Sequence, residues 1–342
     1  MLLLAITPLG KKSTSHHEKK KVREKENQSK LAQDKRCAGR GRIFGLRLCS
    51  PPLASAKFIV TAGVIFSSLV LIVAAESSPS VDKSDYTLVN PTPDTELRKL
   101  SADRPDKTDS PFTVDAGHFQ LEMDFGNFSY QQFNSERGHL VSREYQIAPM
   151  NLKVGLLNNL DLQLELAPWQ WERTENETTG AVEKHAGFGD IIPRFKINLI
   201  GNDGGFFALA LIPFLTLPTA QDRLGNQALG GGLGIPYALD VPGWDIGFQH
   251  SVVLNRDGSG HSYHSEVSNS VSVGHAIIGK LSYYVEFFSN VSTERGVGWL
   301  GTVDTWVTYR ISKNVRLDGG VYLGVTPTAD TWHPWIGMTW RF

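Results

Sequence analysis

Cysteine is nearly missing from this sequence: there are two in 342 residues, Cys37 and Cys49, and both lie near the N-terminus. Nothing downstream can form a disulfide, a thiolate metal site or a cysteine nucleophile. Long hydrophobic runs are also scarce. Only residues 58–75, FIVTAGVIFSSLVLIVAA, form an extended uncharged apolar stretch, which excludes a helical-bundle transporter. Basic charge is scarce over most of the chain. Residues 1–57 hold 14 Lys/Arg against four acids; after residue 75 there are 34 − 14 = 20 bases against 35 − 4 = 31 acids. An acidic body excludes a basic nucleic-acid-binding surface, so no nucleic-acid partner is expected.

The front end reads as targeting. Residues 58–75 have the length of a signal-peptide apolar region, and Val73-Ala74-Ala75 approximates a small-residue cleavage site, which predicts cleavage after Ala75. A transmembrane anchor is the competing reading. Residues 1–57 are a basic, charge-rich leader, either a disordered extension or an over-extended translation start. Residues 76–115 form a polar Pro/Ser/Thr/Asp linker with one helical turn expected around Asp94–Leu100.

From residue 116 to 342 the hydrophobic period is two. In residues 303–311, Val303, Thr305, Val307, Tyr309 and Ile311 alternate with Asp304, Trp306, Thr308 and Arg310. Twelve such segments can be drawn: 117–130, 140–155, 160–172, 188–200, 205–218, 229–240, 244–256, 263–277, 279–292, 299–312, 315–326 and 332–342. Most exceed the ~5–6 residues usual in soluble sheets and match the ~9–11 needed to cross a bilayer. Short turns alternate with longer polar loops such as Thr174–Gly187, and both ends of the array fall on the short-turn side. The pattern predicts an all-β fold: an antiparallel up-and-down transmembrane β-barrel of about twelve strands in the outer membrane. Trp169, Trp171, Trp299 and Trp332 near long loops, with Trp244 and Trp340 near short turns, suggest interface girdles. A soluble β-sandwich is the rival. Trp340 and Phe342, at alternate positions ending the chain, resemble the assembly signal of bacterial outer-membrane barrels, which implies the barrel-assembly machinery and outer-membrane lipids as partners.

Residues 101–125 carry Asp103-Arg104-Pro105-Asp106, Ser110-Pro111, Val114, Gly117 and Gln120-Leu121-Glu122. This stretch resembles the opening motif of a bacterial outer-membrane family labelled "putative meta-pathway of phenol degradation" and often described as a transporter. The likeness runs on to Phe342. It implies a barrel and uptake of hydrophobic or aromatic compounds.

If apolar faces meet lipid, the lumen is lined by the other set: Glu122, Asp124, Glu165, Arg194, Lys196, Glu286, Asp304, Arg310, Asp318 and Arg341. These are the candidates for charge selectivity, against the alternative of a salt-bridged, occluded interior. Asp103, Arg104 and Asp106 are plug candidates, with Arg104 expected to pair with lumen carboxylates at the periplasmic mouth. A lateral route for hydrophobic solutes would need a strand kink, for which Pro149, Pro193, Pro213 and Pro236 are candidates.

Catalysis finds little support. In His250-Ser251 and His264-Ser265 the neighbours point to opposite faces. His264 and Glu266 share a face with Ser268, but no His-x-Ser-Asn signature accompanies them. An outer-membrane acyl hydrolase is the least favoured reading. His261, His264 and Asp257 read as a solvent-exposed loop and not as a metal site, and Gly230–Gly234 lacks the lysine of a phosphate loop. No cofactor is expected. The sequence thus points to a channel passing a small-molecule solute by passive diffusion, or else to a structural or adhesive barrel.

Overall fold

The computed structural model describes residues 82–132, 139–258 and 262–342. The basic leader, the apolar segment 58–75 with its cleavage site, and His261 lie outside the described residues. The fold is all β. Among the described residues fifteen strands form one antiparallel sheet: β1 Phe119–Gln132, β2 Leu140–Ile147, β3 Met150–Leu157, β4 Leu160–Leu166, β5 Trp169–Asn176, β6 Val182–Gly187, β7 Ile192–Ile200, β8 Phe207–Thr216, β9 Gly230–Val241, β10 Trp244–Arg256, β11 Tyr263–Ile278, β12 Leu281–Ser292, β13 Leu300–Arg310, β14 Val315–Gly324 and β15 Trp332–Arg341.

Pairing of β1 with β15, from Gln120↔Arg341 to Tyr130↔Trp332, closes the sheet into a barrel. The closed ring has twelve members: β1, β3, β4 and β7 to β15. β2, β5 and β6 are the outer continuations of β3, β4 and β7, so twelve walls are built from fifteen strands. At the seam Phe119 and Phe342 exchange backbone hydrogen bonds of 2.9 Å in both directions. Phe342 stacks on Phe119 at 5.9 Å and packs against Trp340 at 4.7 Å.

Alternation sorts the side chains as the period predicted. Val285, Phe287, Val303, Val307 and Ile336 face outward and are 37–59% exposed, while Glu286 and Asp304 between them are fully buried. This inside-out arrangement is stable only where lipid covers the apolar belt and closure leaves no unpaired edge. The tryptophans divide. Trp169, Trp244, Trp299, Trp332 and Trp340 are exposed on the outside, but Trp306 and Trp335 are buried in the lumen, so a girdle role does not extend to all eight.

Two sequence expectations need correction. The stretch Thr174–Gly187 is not one long loop: β5 and β6 run as a hairpin from Gln170↔Gly187 to Glu175↔Val182. Its turn is held by Asn176 Oδ1, which accepts from the Thr178 and Thr179 backbone N–H groups at 3.0 and 2.9 Å. Beyond Trp171 the hairpin is largely polar on both faces, so alternation of hydrophobicity could not reveal it. Second, the wall is broken at a common level. β2 ends before Ala148-Pro149, β4 before Ala167-Pro168 and β6 before Phe188–Ile191, while β1 carries a bulge between Asp124 and Gly126. Ala148 adopts φ +55°, a left-handed conformation, and Pro149 and Pro168 have no N–H to offer the ladder. Pro149 therefore sits at a break, whereas Pro193, Pro213 and Pro236 stay inside β7, β8 and β9.

Candidate functional site: a strapped lumen beside a broken wall

The segment before β1 does not hang free. Residues 98–118 thread the lumen and bond to nearly every wall. The Asp103 carboxylate receives Lys153 Nζ of β3 at 2.5 Å and also Lys196 of β7. Its backbone N–H, with that of Arg104, donates to Glu122 Oε2 on β1 at 3.0 and 3.1 Å. Arg104 spans to the seam, pairing with Asp124 on β1 and with Asp318 on β14, the latter at 2.9 Å. Lys107 Nζ reaches Asp304 on β13 at 2.9 Å and lies 4.0 Å from the Tyr322 ring centre. Its backbone N–H donates to Glu286 at 3.0 Å. Asp109 then meets Arg194 at 2.7 Å, and the Val114 N–H donates to Asp161 at 2.9 Å. The chain leaves by Asp115, which pairs with Arg341 at 2.9 Å.

Two glycines make room for this strap. A Cβ on Gly155 would lie 2.1 Å from the Asp115 carbonyl oxygen, and one on Gly337 would strike Met123 O and the Arg104 guanidinium. Only a bare backbone permits so close an approach.

Of the ten lumen candidates, nine point inward and have ion-pair or hydrogen-bond partners. Glu122, Asp124, Lys196, Glu286, Asp304 and Asp318 contact the strap segment itself, as do Arg194 and Arg341. Glu165 pairs with Arg194. Arg310 departs: it sits exposed at the short-turn end of β13, where its backbone N–H donates to Lys280 O at 3.0 Å. Its parity was read correctly, but the strand ends there, so no opposing wall buries it. Of the plug candidates, Asp103 and Arg104 carry charge pairs, and Asp106 is half-buried near Glu286. Sequence reasoning missed Lys107, Asp109, Lys153 and Asp161. Lys153 and Asp161 belong to the same inward-facing alternation as Glu165, which could have found them.

The inward cations on one side are interleaved with acids, Lys153 pairing with Glu122 and Arg194 with Glu165, while acids predominate on the other side. Lys153, Lys196 and Arg194 lie on β3 and β7, whereas Asp304, Glu286 and Asp318 lie on β12 to β14. The strap is written in the complementary order, Asp103 and Asp109 toward the cations and Arg104 and Lys107 toward the anions. Breaking one such buried pair costs about 3–5 kcal/mol. Burial alone would raise the Asp103 carboxyl, but Lys153, Lys196 and Arg194 hold it far below the ordinary carboxylate range. Asp106 goes the other way, raised by burial and by the negative Glu286.

Beside the strap, a cavity of about 640 Å³ opens at the break in the wall. It is lined by outward-facing Ile147, Trp169 and Ile336 and by inward-facing Asn127, Gln146 and Trp335. The strands around it stay paired, Gly126 with Ile147 and Ile336 and Ile147 with Trp169, and the change of phase at the Asp124–Gly126 bulge brings residues of both faces to its lining. Trp335 stacks on Tyr322 at 4.1 Å, which continues the aromatic surface to Lys107. A second cavity, also about 640 Å³, lies between the strap and the short-turn mouth, with Tyr284 stacked on Trp306 at 5.2 Å.

The hydrolase geometry is not assembled. The Ser268 hydroxyl donates to Asn290 Oδ1 at 3.2 Å, while His264 bonds to Asp257 and Glu266.

Fold and lumen together define a membrane-spanning β-barrel of the outer-membrane type, its lumen crossed by its own N-terminal strap. The chain belongs to the family described as "Putative MetA-pathway of phenol degradation", whose profile matches residues 102–342. In structure it is similar to the COG4313 outer membrane channel from Pseudomonas putida F1. That likeness covers 71% of this chain and 100% of the other at 13% identity, with a TM-score of 0.52. The β domain of the Bordetella autotransporter BrkA is a looser neighbour, at 13% identity and TM-score 0.42 over 66% of this chain and 99% of the other. No curated protein sequence matches the chain significantly.

Proposed function

We propose that this protein is an outer-membrane channel through which small hydrophobic or aromatic molecules pass by diffusion, entering sideways through the broken wall. The cavity between Ile147, Trp169 and Ile336 carries the reading: it is apolar, faces the lipid belt and reaches inward-facing Trp335. A hydrophobic solute concentrates in the bilayer, so an opening from lipid serves it better than a polar axial pore. The strap supports the same reading, because its ion pairs obstruct the axial path for hydrated solutes. The inward charges filter whatever water-soluble species still pass. Trp340 and Phe342 would engage the assembly machinery through the last strand, and the barrel would then sit among outer-membrane lipids.

The test is Gly126→Trp. Gly126 lines the cavity, and a Cβ there meets only Gln146 O at 3.5 Å, so the backbone accepts a side chain. The indole fills the opening. Uptake of a radiolabelled monoaromatic hydrocarbon into proteoliposomes should fall several-fold against wild type, with ion conductance unchanged. Equal uptake by the variant would sink the lateral route. Absence of uptake in folded wild type would favour the second reading, a structural barrel with an occluded lumen, to which the density of strap ion pairs lends its own support.

A further inference from the structure

A cluster at the long-loop rim lies apart from the strap and the wall break. His264 opens β11, Asp257 follows β10, and Glu294 follows β12. His264 is only 8% exposed. Its Nδ1 lies 2.9 Å from Asp257 Oδ1 and 3.8 Å from Glu294 Oε2, and the three donor atoms all fall within 4.8 Å of one another. Ligands at 2.0–2.2 Å from a tetrahedral ion are separated by about 3.4 Å, which lies between the two separations at His264.

His264 Nε2 faces Glu266 Oε1 at 3.0 Å. A carboxylate can only accept, so Nε2 carries the hydrogen. Nδ1 in turn lies within hydrogen-bond distance of Asp257 Oδ1, and a cation taking the place of a proton there would meet Nδ1, Asp257 and Glu294 together. The surroundings are arranged for that. Glu266 Oε2 accepts from Asn290 Nδ2 at 2.8 Å, fixing the carboxylate that orients the imidazole. Glu294 Oε1 accepts from the Gly258 N–H at 2.9 Å, which leaves Oε2 directed at His264. A carboxylate bonded to the far nitrogen of a ligating histidine is the usual outer support of a metal site.

We infer that Asp257, His264 and Glu294 bind one divalent transition-metal ion, with Glu266 as the positioning residue behind the histidine. One imidazole nitrogen and two carboxylate oxygens suit Zn²⁺ or its first-row neighbours better than Ca²⁺ or Mg²⁺, which prefer all-oxygen shells. Three protein ligands leave at least one position for water. The ion would tie the loop between β10 and β11 to the loop after β12, across the rim of the barrel. This inference goes beyond the channel reading and does not depend on it.

The experiment is a calorimetric titration of the folded full-length barrel in detergent with Zn²⁺, repeated with Co²⁺ to follow its visible absorption. The expected result is one ion per barrel. His264→Ala and Glu294→Gln should each weaken binding at least 100-fold, and Glu266→Gln by about 10–100-fold. Zn²⁺ should also slow proteolysis of the two loops in wild type and not in Glu294→Gln, a loop-residue variant expected to leave the strands folded. The inference is overturned if wild type takes up no Zn²⁺ at 100-fold molar excess, the cluster then being an imidazolium held by carboxylates. It is equally overturned if binding persists undiminished in both ligand variants, or if Ca²⁺ and Mg²⁺ compete as well as Co²⁺.

Discussion

Asp103 shows at the residue scale how a charged lumen can hold its own chain. Its two carboxylate oxygens meet Lys153 and Lys196, its N–H serves Glu122, and it accepts the Ser110 N–H at 3.0 Å. Asp103→Asn keeps the shape and removes the charge, leaving two buried ammonium groups with too few anions. It should destabilise the folded barrel by about 3–5 kcal/mol, the range for a broken buried pair, read as a lower midpoint in guanidinium unfolding. The pH dependence follows from the depressed carboxyl. A group whose folded pKa lies below its unfolded value of about 3.9 stabilises fully above that value, and loses the contribution as pH falls through the folded pKa. Burial opposes this at Asp103, and the cations overcome it. Strap docking should therefore survive from neutral pH down to about pH 4. Asp106, raised by burial and Glu286, has the opposite sign: its contribution is present below the unfolded value and lost as pH rises through the folded one. Asp106→Asn should consequently cost little at neutral pH or stabilise, and equal destabilisation by the two variants would contradict this account. The inward direction of Glu122, Glu286 and Asp318 was legible from alternation alone. Their partners were not, because each bond joins residues a hundred or more apart or lies on a strap without periodicity.

At the scale of the element, the walls were legible and their breaks were not. The alternating runs placed all twelve walls, since lipid on one side and charge on the other impose period two along each strand. The breaks leave a subtler mark. Inward positions are 142, 144 and 146 on β2 but 151 and 153 on β3; 161, 163 and 165 on β4 but 170, 172 and 174 on β5; 120, 122 and 124 before the β1 bulge but 127 and 129 after it. Each wall slips by one residue at the same level. A slip reverses the faces unless the ladder is interrupted, so the change of phase from Leu164 and Leu166 to Trp169 and Trp171 was the available signal. The prolines are secondary, since Pro193, Pro213 and Pro236 cause no break. If the slip sets the break, relieving its strain should stabilise without repairing it. Ala148 pays for its φ of +55°, a cost of about 1–2 kcal/mol for a non-glycine residue. Ala148→Gly removes that cost and adds about 0.5–1 kcal/mol of backbone entropy. The net expectation is a gain of up to about 1 kcal/mol, visible as a higher unfolding midpoint, with hydrocarbon uptake retained.

For the whole molecule, the strap and the wall break answer different needs of one barrel. Twelve walls enclose a lumen in which Lys153, Lys196 and Arg194 share one side with Glu122, Asp161 and Glu165, while Glu286, Asp304 and Asp318 gather on the other. Residues 101–110 complete the pairing by presenting Asp103 and Asp109 to Lys153, Lys196 and Arg194, and Arg104 and Lys107 to Asp124, Asp318 and Asp304. Removing them exposes both sets at once. The ring itself keeps its ladders, because none of the twelve wall pairings uses the strap. Deleting residues 101–110 should thus leave a folded barrel of lower stability with a hydrated lumen. In planar bilayers it should show discrete conductance steps several-fold larger than any wild-type event. Its selectivity should shift when Lys196 or Asp304 is neutralised in the deleted background, and those substitutions should do little to conductance while the strap is in place. Uptake of a hydrophobic solute from the bilayer should persist in the deletion, since its entrance lies in the wall. Large steps already present in wild type would show that the strap leaves an axial path, and the broken wall would then lose its claim to be the principal route.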